Sequence, residues 1–376
     1  MIETSPNEAL NIGKISDRVI SMLTSTQKVS FIEKREFSGK ITTTIADDFE
    51  HPENSRNYFK LSSNGKKFFI HSDYNLPTFL SGTDVKVIGI GFENSDKIAV
   101  SNIIKNTVQN LNYIYKKIDF QPLSLASTED NFGEQKTLVI IINTDVRQEA
   151  PLVTVQEARD LIFGNGPKTV QDYYKTVSYG KASISGDVFG PYDLRSKGCD
   201  DTLRDSALVA AKNDIESMGK SLSEYQRLIF ILPKYTTCTS YDGYTSLGKE
   251  EFALPDGNKV KMSVIWIKNF LAKVIVHELG HGFGVKEADA YNCHDINGEG
   301  KDFSFDCFIS TYGDYLNVMG NSISTFPWLS ASQLWEIGWL DESSIVRTDE
   351  GIYPLTPLET SEGAYKSIFI PIEIGP

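Results

Sequence analysis

The stretch His277-Glu278-Leu279-Gly280-His281 restricts this chain more than any other feature. Side chains at i and i+4 of an α-helix lie one turn apart on the same face, so a helix over about Asn269 to Gly282 stacks two imidazoles. Two imidazoles so placed bind one metal ion from a rigid element, and zinc suits them. Glu278, next along the helix, then projects towards the open coordination position, where it can take a proton from water. Zinc brings that water's pKa towards neutrality and polarises a carbonyl without changing oxidation state, so the expected reaction is amide hydrolysis with no covalent intermediate. The competing reading is a core helix, in which two histidines and a glutamate would each need a buried partner.

Two histidines leave a third protein ligand to be found. Gly284, three residues after His281, allows the helix to stop in a left-handed conformation and the chain to swing back beneath the metal. The run "HELGHGFGVKE" resembles the extended signature of the metzincin zinc peptidases, in which a third ligand follows that turn. In this sequence the third-histidine position of the signature is Glu287. A carboxylate is an accepted zinc ligand, and it leaves the site less positive than a third imidazole would. Asp289, on a wider loop, and His294 are the rival third ligands, and a degenerate site with none of these is the remaining alternative.

The runs "VSYGKASISGDVFGPY", "HELGHGFG", "YGDYLNVMGNS" and "LSASQLWEIGWL" together look like the gametolysin-type metallopeptidases and related bacterial secreted enzymes, over about residues 137 to 345. That resemblance implies a secreted or cell-surface zinc endopeptidase acting on proteins or glycoproteins. It makes His277 and His281 zinc ligands, Glu278 the general base and Met319 the residue of a methionine turn below the metal. The implied fold is an α/β (α+β) domain with a mixed sheet, an active-site helix and that Met-turn.

The rest of the chain divides by texture. Residues 1–27 read as a lead-in. Residues 28–106 hold short β-branched and aromatic runs, "GKITTTIADDF", "NYFKLSSNGKKFFIHSD" and "TDVKVIGIGFENSDKIAVSNI", punctuated by turn pairs such as Asn64-Gly65. They suggest a small all-β, barrel-like domain resembling an oligonucleotide/oligosaccharide-binding barrel. Residues 107–135 read as a linker, 136–345 as the catalytic domain and 346–376 as the start of a C-terminal β segment belonging to a longer chain. Within the catalytic stretch Thr137 to Asn143, "QRLIFILP" and "KVKMSVIWI" read as buried strands. Thr154 with Glu157 forms a capping box, Thr169 starts a second helix, and Asp201 to Met218 is a third with Leu203, Ala207, Leu208, Ala211 and Ile215 on one face.

A formal net charge of -13, with no strong basic run, argues against nucleic acid as a partner. No stretch is long and apolar enough for a membrane span. The first residues carry no basic-then-apolar pattern, so a signal peptide is expected to have been removed. The four cysteines, Cys199, Cys238, Cys293 and Cys307, lack Cys-x-x-Cys spacing and allow three pairings. Cys199 with Cys238 and Cys293 with Cys307 is the expected set, against four buried thiols.

Weaker signals have plainer readings. "DINGEGKDFSFD", Asp295 to Asp306, partly copies a calcium loop but lacks its twelfth-position Glu, so a polar loop is preferred and calcium is the weaker cofactor expectation beside zinc. Tyr312 and Tyr315 could donate to an oxyanion, although packing is the preferred reading. Trp328, Trp335 and Trp339 are expected to pack a helix started by Ser330 and Gln333. Asp47 and Asp48 read as surface turn acids, approaching a metal only if the first domain is an inhibitory pro-region. The expected function is a secreted zinc metalloendopeptidase. The alternatives are a binding or adhesion protein with a degenerate peptidase domain, and a zinc amidase acting on cell-wall peptides.

Overall fold

Alternate residues of one strand explain how the catalytic half is layered. In a computed structural model of the chain, which describes residues 35–71, 78–91, 97–105, 128–144, 153–194, 198–237, 239–254, 256–294, 299–300, 307–321, 326–348 and 350–370, the run Leu138 to Ile142 is almost wholly buried. Val139 and Ile141 face one hydrophobic layer, and Leu138, Ile140 and Ile142 face another. A strand buried on both faces needs a continuous apolar run rather than an alternating one. The chain is α+β, with mixed strand pairing and few helices among the described residues.

It separates into two compact units, one of residues 1–45 and 56–114, the other of residues 46–55 and 115–376. In the first unit, strands β1 (Arg35–Asp47), β2 (Arg56–Ser63), β3 (Lys66–His71), β4 (Thr83–Gly91) and β5 (Lys97–Lys105) pair in the order β2-β3-β5-β4-β1. β1 also pairs with β2, and only β3 with β5 is parallel among the pairings whose register is resolved. Ile41, Phe59, Leu61, Ile70, Phe79, Val85 and Val87 form its core. The last two residues of β1, Ala46 and Asp47, belong to the second unit.

The second unit is built on β6 (Gly133–Asn143), β7 (Ala182–Asp193), β8 (Arg227–Ile231), β9 (Gly243–Ser246), β10 (Glu250–Ala253) and β11 (Lys259–Ile267). Their order is β9-β11-β8-β6-β7, with β10 also on β11. The four strands β7, β6, β8 and β11 are mutually parallel, whereas β9 and β10 run antiparallel to β11. Helices α1 (Val155–Phe163) and α2 (Val170–Val177) join β6 to β7, and α3 (Asp201–Ser217) joins β7 to β8. Leu203, Ala207, Leu208, Ala211 and Ile215 of α3 are buried against the Leu138 face.

Against the Val139 face lie α1, α2 and α4 (Ala272–Phe283), which follows β11. With a fully buried aliphatic side chain stabilising by about 1.5–3 kcal/mol, this packing holds α4 more firmly than its own propensity could. A hairpin of β12 (Ala290–Asn292) and β13 (Phe308–Ser310) comes next, tied by the disulfide Cys293–Cys307. Helix α5 (Ala331–Glu336) and the parallel pair β14 (Ile345–Arg347) and β15 (Ser367–Phe369) complete the unit. Cys199 is also disulfide-bonded; Cys238, the lead-in 1–27, residues 106–127 of the linker region and most of the calcium-like stretch lie outside the described residues. No helix among the described residues is long and apolar enough to cross a membrane.

Candidate metal centre

Helix α4 is buried on every side from Val274 to Phe283, so three ionisable groups are carried into the interior with it. His277, Glu278 and His281 are all 0% exposed. The helix begins at Ala272 rather than Asn269, since Leu271 at its N-cap is in an extended conformation and makes no side-chain cap. Its end is set by Gly284, at φ 98°, a left-handed conformation that a Cβ disfavours. There Gly284 N donates to His281 O at 2.8 Å and Val285 N to Gly280 O at 3.0 Å.

That turn also supplies the first hydrogen bond of the site. His281 Nδ1 lies 2.8 Å from Val285 O, and His277 Nδ1 lies 2.9 Å from Val318 O. A carbonyl oxygen only accepts, so both Nδ1 atoms donate, and in the neutral imidazoles a metal requires, both Nε2 atoms carry lone pairs. The two Nε2 atoms face each other at 3.1 Å. Glu287 is placed by the returning chain, where Ala288 N donates to Met319 O at 3.0 Å. Its Oε1 lies 3.1 Å from His281 Nε2, and its Oε2 3.5 Å from His277 Nε2.

A fourth group comes from 230 residues upstream. Asp47 Oδ2 lies 3.5 Å from His277 Nε2 and 3.3 Å from His281 Nε2, and one ligand atom from each of Asp47, His277, His281 and Glu287 falls within 4.8 Å of all the others. Asp47 is 0% exposed, not the surface turn acid expected from "IADDFEH". Its carbonyl accepts from Asp242 N at 2.9 Å, Phe49 N donates to Asp242 Oδ2 at 3.0 Å, and the Phe49 ring stands edge-on to His277 at 4.8 Å. Tyr312, which is 3% exposed, donates its hydroxyl to Asp47 Oδ1. Tyr315 is exposed.

The donor set fits a metal ion. Asp47 Oδ2 and both Glu287 oxygens are buried with no hydrogen-bond donor, and they converge on two lone-pair nitrogens. Such a focus of acceptors costs several kcal/mol for each ion unless a cation sits among them. Ligands at zinc's ordinary 2.0–2.1 Å in a tetrahedron stand about 3.3–3.4 Å apart. The two Nε2 atoms stand 3.1 Å apart, and the nearest carboxylate oxygens of Asp47 and Glu287 lie 3.1 to 3.5 Å from them, in a set whose members are all within 4.8 Å of one another. These four residues form a buried group able to hold a metal ion.

Electrostatics within the group are tightly linked. Burial works to raise the Asp47 pKa, but the two imidazoles beside it, His277 and His281, outweigh it and hold Asp47 well below the usual carboxylate range. Burial works to lower the His281 pKa, and the charges of Glu287 and Asp47 override it, pushing His281 well up. Burial first, then the Asp47 charge, raises Glu287 to about 7. Glu278 is pushed well above the usual carboxylate range by burial and then by Asp47. Its Oε2 accepts from Thr245 Oγ1 at 2.6 Å, and its buried Oε1 has no donor. Gly243 on β9 leaves the space for this side chain, since a Cβ there would overlap the Glu278 carboxyl.

Met319 lies in the turn Asn317–Gly320, closed by Gly320 N donating to Asn317 O at 3.0 Å. It is fully buried against Gly280, where a Cβ would collide with its sulfur. Asn317 Oδ1 accepts from Met319 N, Asn317 Nδ2 donates to Gln333 Oε1, and Gln333 Nε2 donates to Lys286 O. One chain of bonds thus joins α5, the Met319 turn and the loop carrying Glu287. Asp289 is not in the four-residue group, its Oδ1 accepting from Tyr312 N at 3.0 Å instead. His294 is exposed and bridges to Gly300 outside it.

Spacing could not reveal Asp47, but strand alternation offered a signal. Ile41, Thr43, Ile45 and Asp47 share one face of β1, and all four are buried. The carbonyls of Val285 and Val318 carry no sequence signal, because any residue can supply a carbonyl, and Thr245 reaches Glu278 from a strand 33 residues upstream. No protein-family model matches this chain, and no curated protein is significantly similar to it.

Proposed function

We propose that this protein is a secreted zinc-dependent metalloendopeptidase that hydrolyses peptide bonds of proteins or glycoproteins, with a metzincin-like catalytic domain over about residues 136–345. The observation that carries this reading is the convergence of the His277 and His281 lone pairs with donor-less carboxylate oxygens, beside a buried glutamate on the same helix. Mixed sheet, active-site helix and a buried methionine turn beneath it support the metzincin resemblance. The closing β1–β2 pairing supports a barrel-like domain over about residues 28–106. The disulfides support an oxidising, extracellular setting.

His277, His281 and Glu287 would hold the zinc, a borderline-soft ion served by imidazole and carboxylate. When bound, zinc supplies a Lewis acid that acidifies water and polarises the scissile carbonyl. Glu278 is the general base: Thr245 fixes its Oε2, which leaves Oε1 to take a proton from the attacking water and return it to the leaving amine. Val285 O and Val318 O hold both imidazoles in the tautomer with Nε2 free. Met319 packs under Gly280 and keeps the helix at its depth.

The test is metal analysis and casein cleavage, on the full-length chain and after limited proteolysis. About one zinc per chain is expected, and Glu278→Ala should keep the metal while losing a factor of roughly 10²–10⁴ in cleavage. A protein that holds zinc yet cleaves nothing in any trimmed form would instead favour a binding protein with a peptidase-like domain.

A further inference from the structure

Glu287 is the one member of the three-ligand set that is not aimed through its own side chain. His277 and His281 are oriented by carbonyls on their second ring nitrogens. A carboxylate has no N–H, and neither Glu287 oxygen meets a hydrogen-bond donor. Nor does a helix or strand hold it, since residues 285–289 have no regular structure. The backbone must therefore do the aiming. We infer that Gln333 is the positioning residue for Glu287, closing a ring of hydrogen bonds that fixes the peptide planes on both sides of its Cα. This rests on the metal-centre reading given above.

The ring can be followed atom by atom. Gln333 Nε2 donates to Lys286 O at 3.2 Å, and Ala288 N donates to Met319 O at 3.0 Å. Met319 N donates to Asn317 Oδ1 at 2.9 Å, and Asn317 Nδ2 donates back to Gln333 Oε1 at 2.7 Å. A peptide unit is planar, so holding the Lys286 carbonyl fixes the plane that ends at Glu287 Cα, and holding the Ala288 N–H fixes the plane that begins there. With both planes fixed, the Cα–Cβ bond of Glu287 has one direction. Among the described residues, Gln333 supplies the one side-chain hydrogen bond to the backbone of 286–288.

Gln333 is itself immobilised. It is 8% exposed on the first turn of α5, and the next residue, Leu334, is fully buried in the layer that holds α4. Its Oε1 also accepts from Ser330 N at 3.0 Å and from Ser330 Oγ at 3.2 Å. Three donors on Oε1 leave Nε2 as the end that faces Lys286. The residue type agrees with this role. Glu and Gln both serve at the third position of a capping box, but a carboxylate has no donor for a carbonyl. Capping alone does not call for an amide, whereas the Lys286 bond does.

The experiment compares Gln333→Glu with Ser330→Ala in the full chain. It reads zinc titration against a chromophoric chelator, visible absorption with cobalt(II) in place of zinc, and urea unfolding without metal. Gln333→Glu keeps the acceptor for Ser330 and Asn317 and loses the donor to Lys286. It should bind zinc about 10- to 100-fold more weakly than wild type and show an altered cobalt spectrum. Ser330→Ala removes the cap hydroxyl but not the ring, so its urea midpoint should fall while its zinc affinity stays within about twofold of wild type. Added to Glu287→Ala, Gln333→Glu should weaken zinc no further, because no carboxylate is left to aim. Wild-type zinc affinity and cobalt spectrum in Gln333→Glu would overturn the inference. So would equal affinity losses in Gln333→Glu and Ser330→Ala, or a further loss of about tenfold on the Glu287→Ala background. A wild type that holds neither metal overturns it together with the metal-centre reading. The expected metal results with no casein cleavage in any form leave it standing and sink the peptidase assignment.

Discussion

Two buried acidic clusters in the second unit are built on opposite principles. At Asp187, Oδ2 accepts from Lys220 Nζ at 2.6 Å and from Tyr225 OH at 2.8 Å, so the carboxylate faces donors. At Asp47 and Glu287, the carboxylate oxygens and both imidazole Nε2 atoms point at one another. The first is a satisfied network, and proton positions alone account for it. The second is a set of acceptors converging on one point, which protein atoms leave unfavourable and a cation makes favourable. Satisfaction, rather than burial or charge, distinguishes a structural cluster from a ligand set.

The sharpest way to break the comparison is His281→Ala. It should abolish metal binding and, by leaving Asp47 and Glu287 facing one imidazole, destabilise the protein by about 3–5 kcal/mol in denaturant unfolding. Chelation comes next: removing a metal ion that stood 100- to 1,000-fold above its Kd should cost roughly 3–4 kcal/mol, in wild type and Asp187→Asn alike. Unequal losses would mean that the two clusters are coupled.

Asp187→Asn should cost about 1.5–3 kcal/mol at neutral pH with metal content unchanged. Burial acts to raise the Asp187 pKa, but the hydrogen bonds from Lys220 and Tyr225 outweigh it and lower it. A carboxylate depressed in the fold contributes stability that is present above its unfolded pKa and lost as pH falls through its folded value. The gap between wild type and Asp187→Asn should therefore close on acidification, as unfolding midpoints followed from pH 7 down to 2 would reveal. Thr245→Val is the smallest change, leaving Glu278 Oε2 without its donor at about 1 kcal/mol. It should reduce cleavage while metal affinity holds.

Local chemistry made much of this molecule legible in its sequence. The Thr154–Glu157 and Ser330–Gln333 boxes form, because both partners lie within one turn. α3 ends at Ser217, beside the expected Met218, with the five expected residues buried. Continuous apolar runs gave β6, β8 and β11, because strands covered on both faces cannot alternate. The strands β9 and β10, four residues each, left no periodic signal, yet Thr245 and Gly243 of β9 shape the Glu278 pocket. Glu287 was readable because it lies six residues from His281. Asp47 was not, since a contact across 230 residues is encoded by the fold and by no interval in the sequence.

Residue 285 joins two of these events in one backbone unit. Its N–H closes the end of α4 on Gly280, and its carbonyl orients His281. Fraying of the last helical turn and loss of the imidazole's aim are therefore a single opening, with a single free energy. In amide hydrogen exchange the Val285 N–H should be slowed by metal as strongly as any amide of α4, although it lies past the helix end. The helix terminus thereby reports the occupancy of the centre.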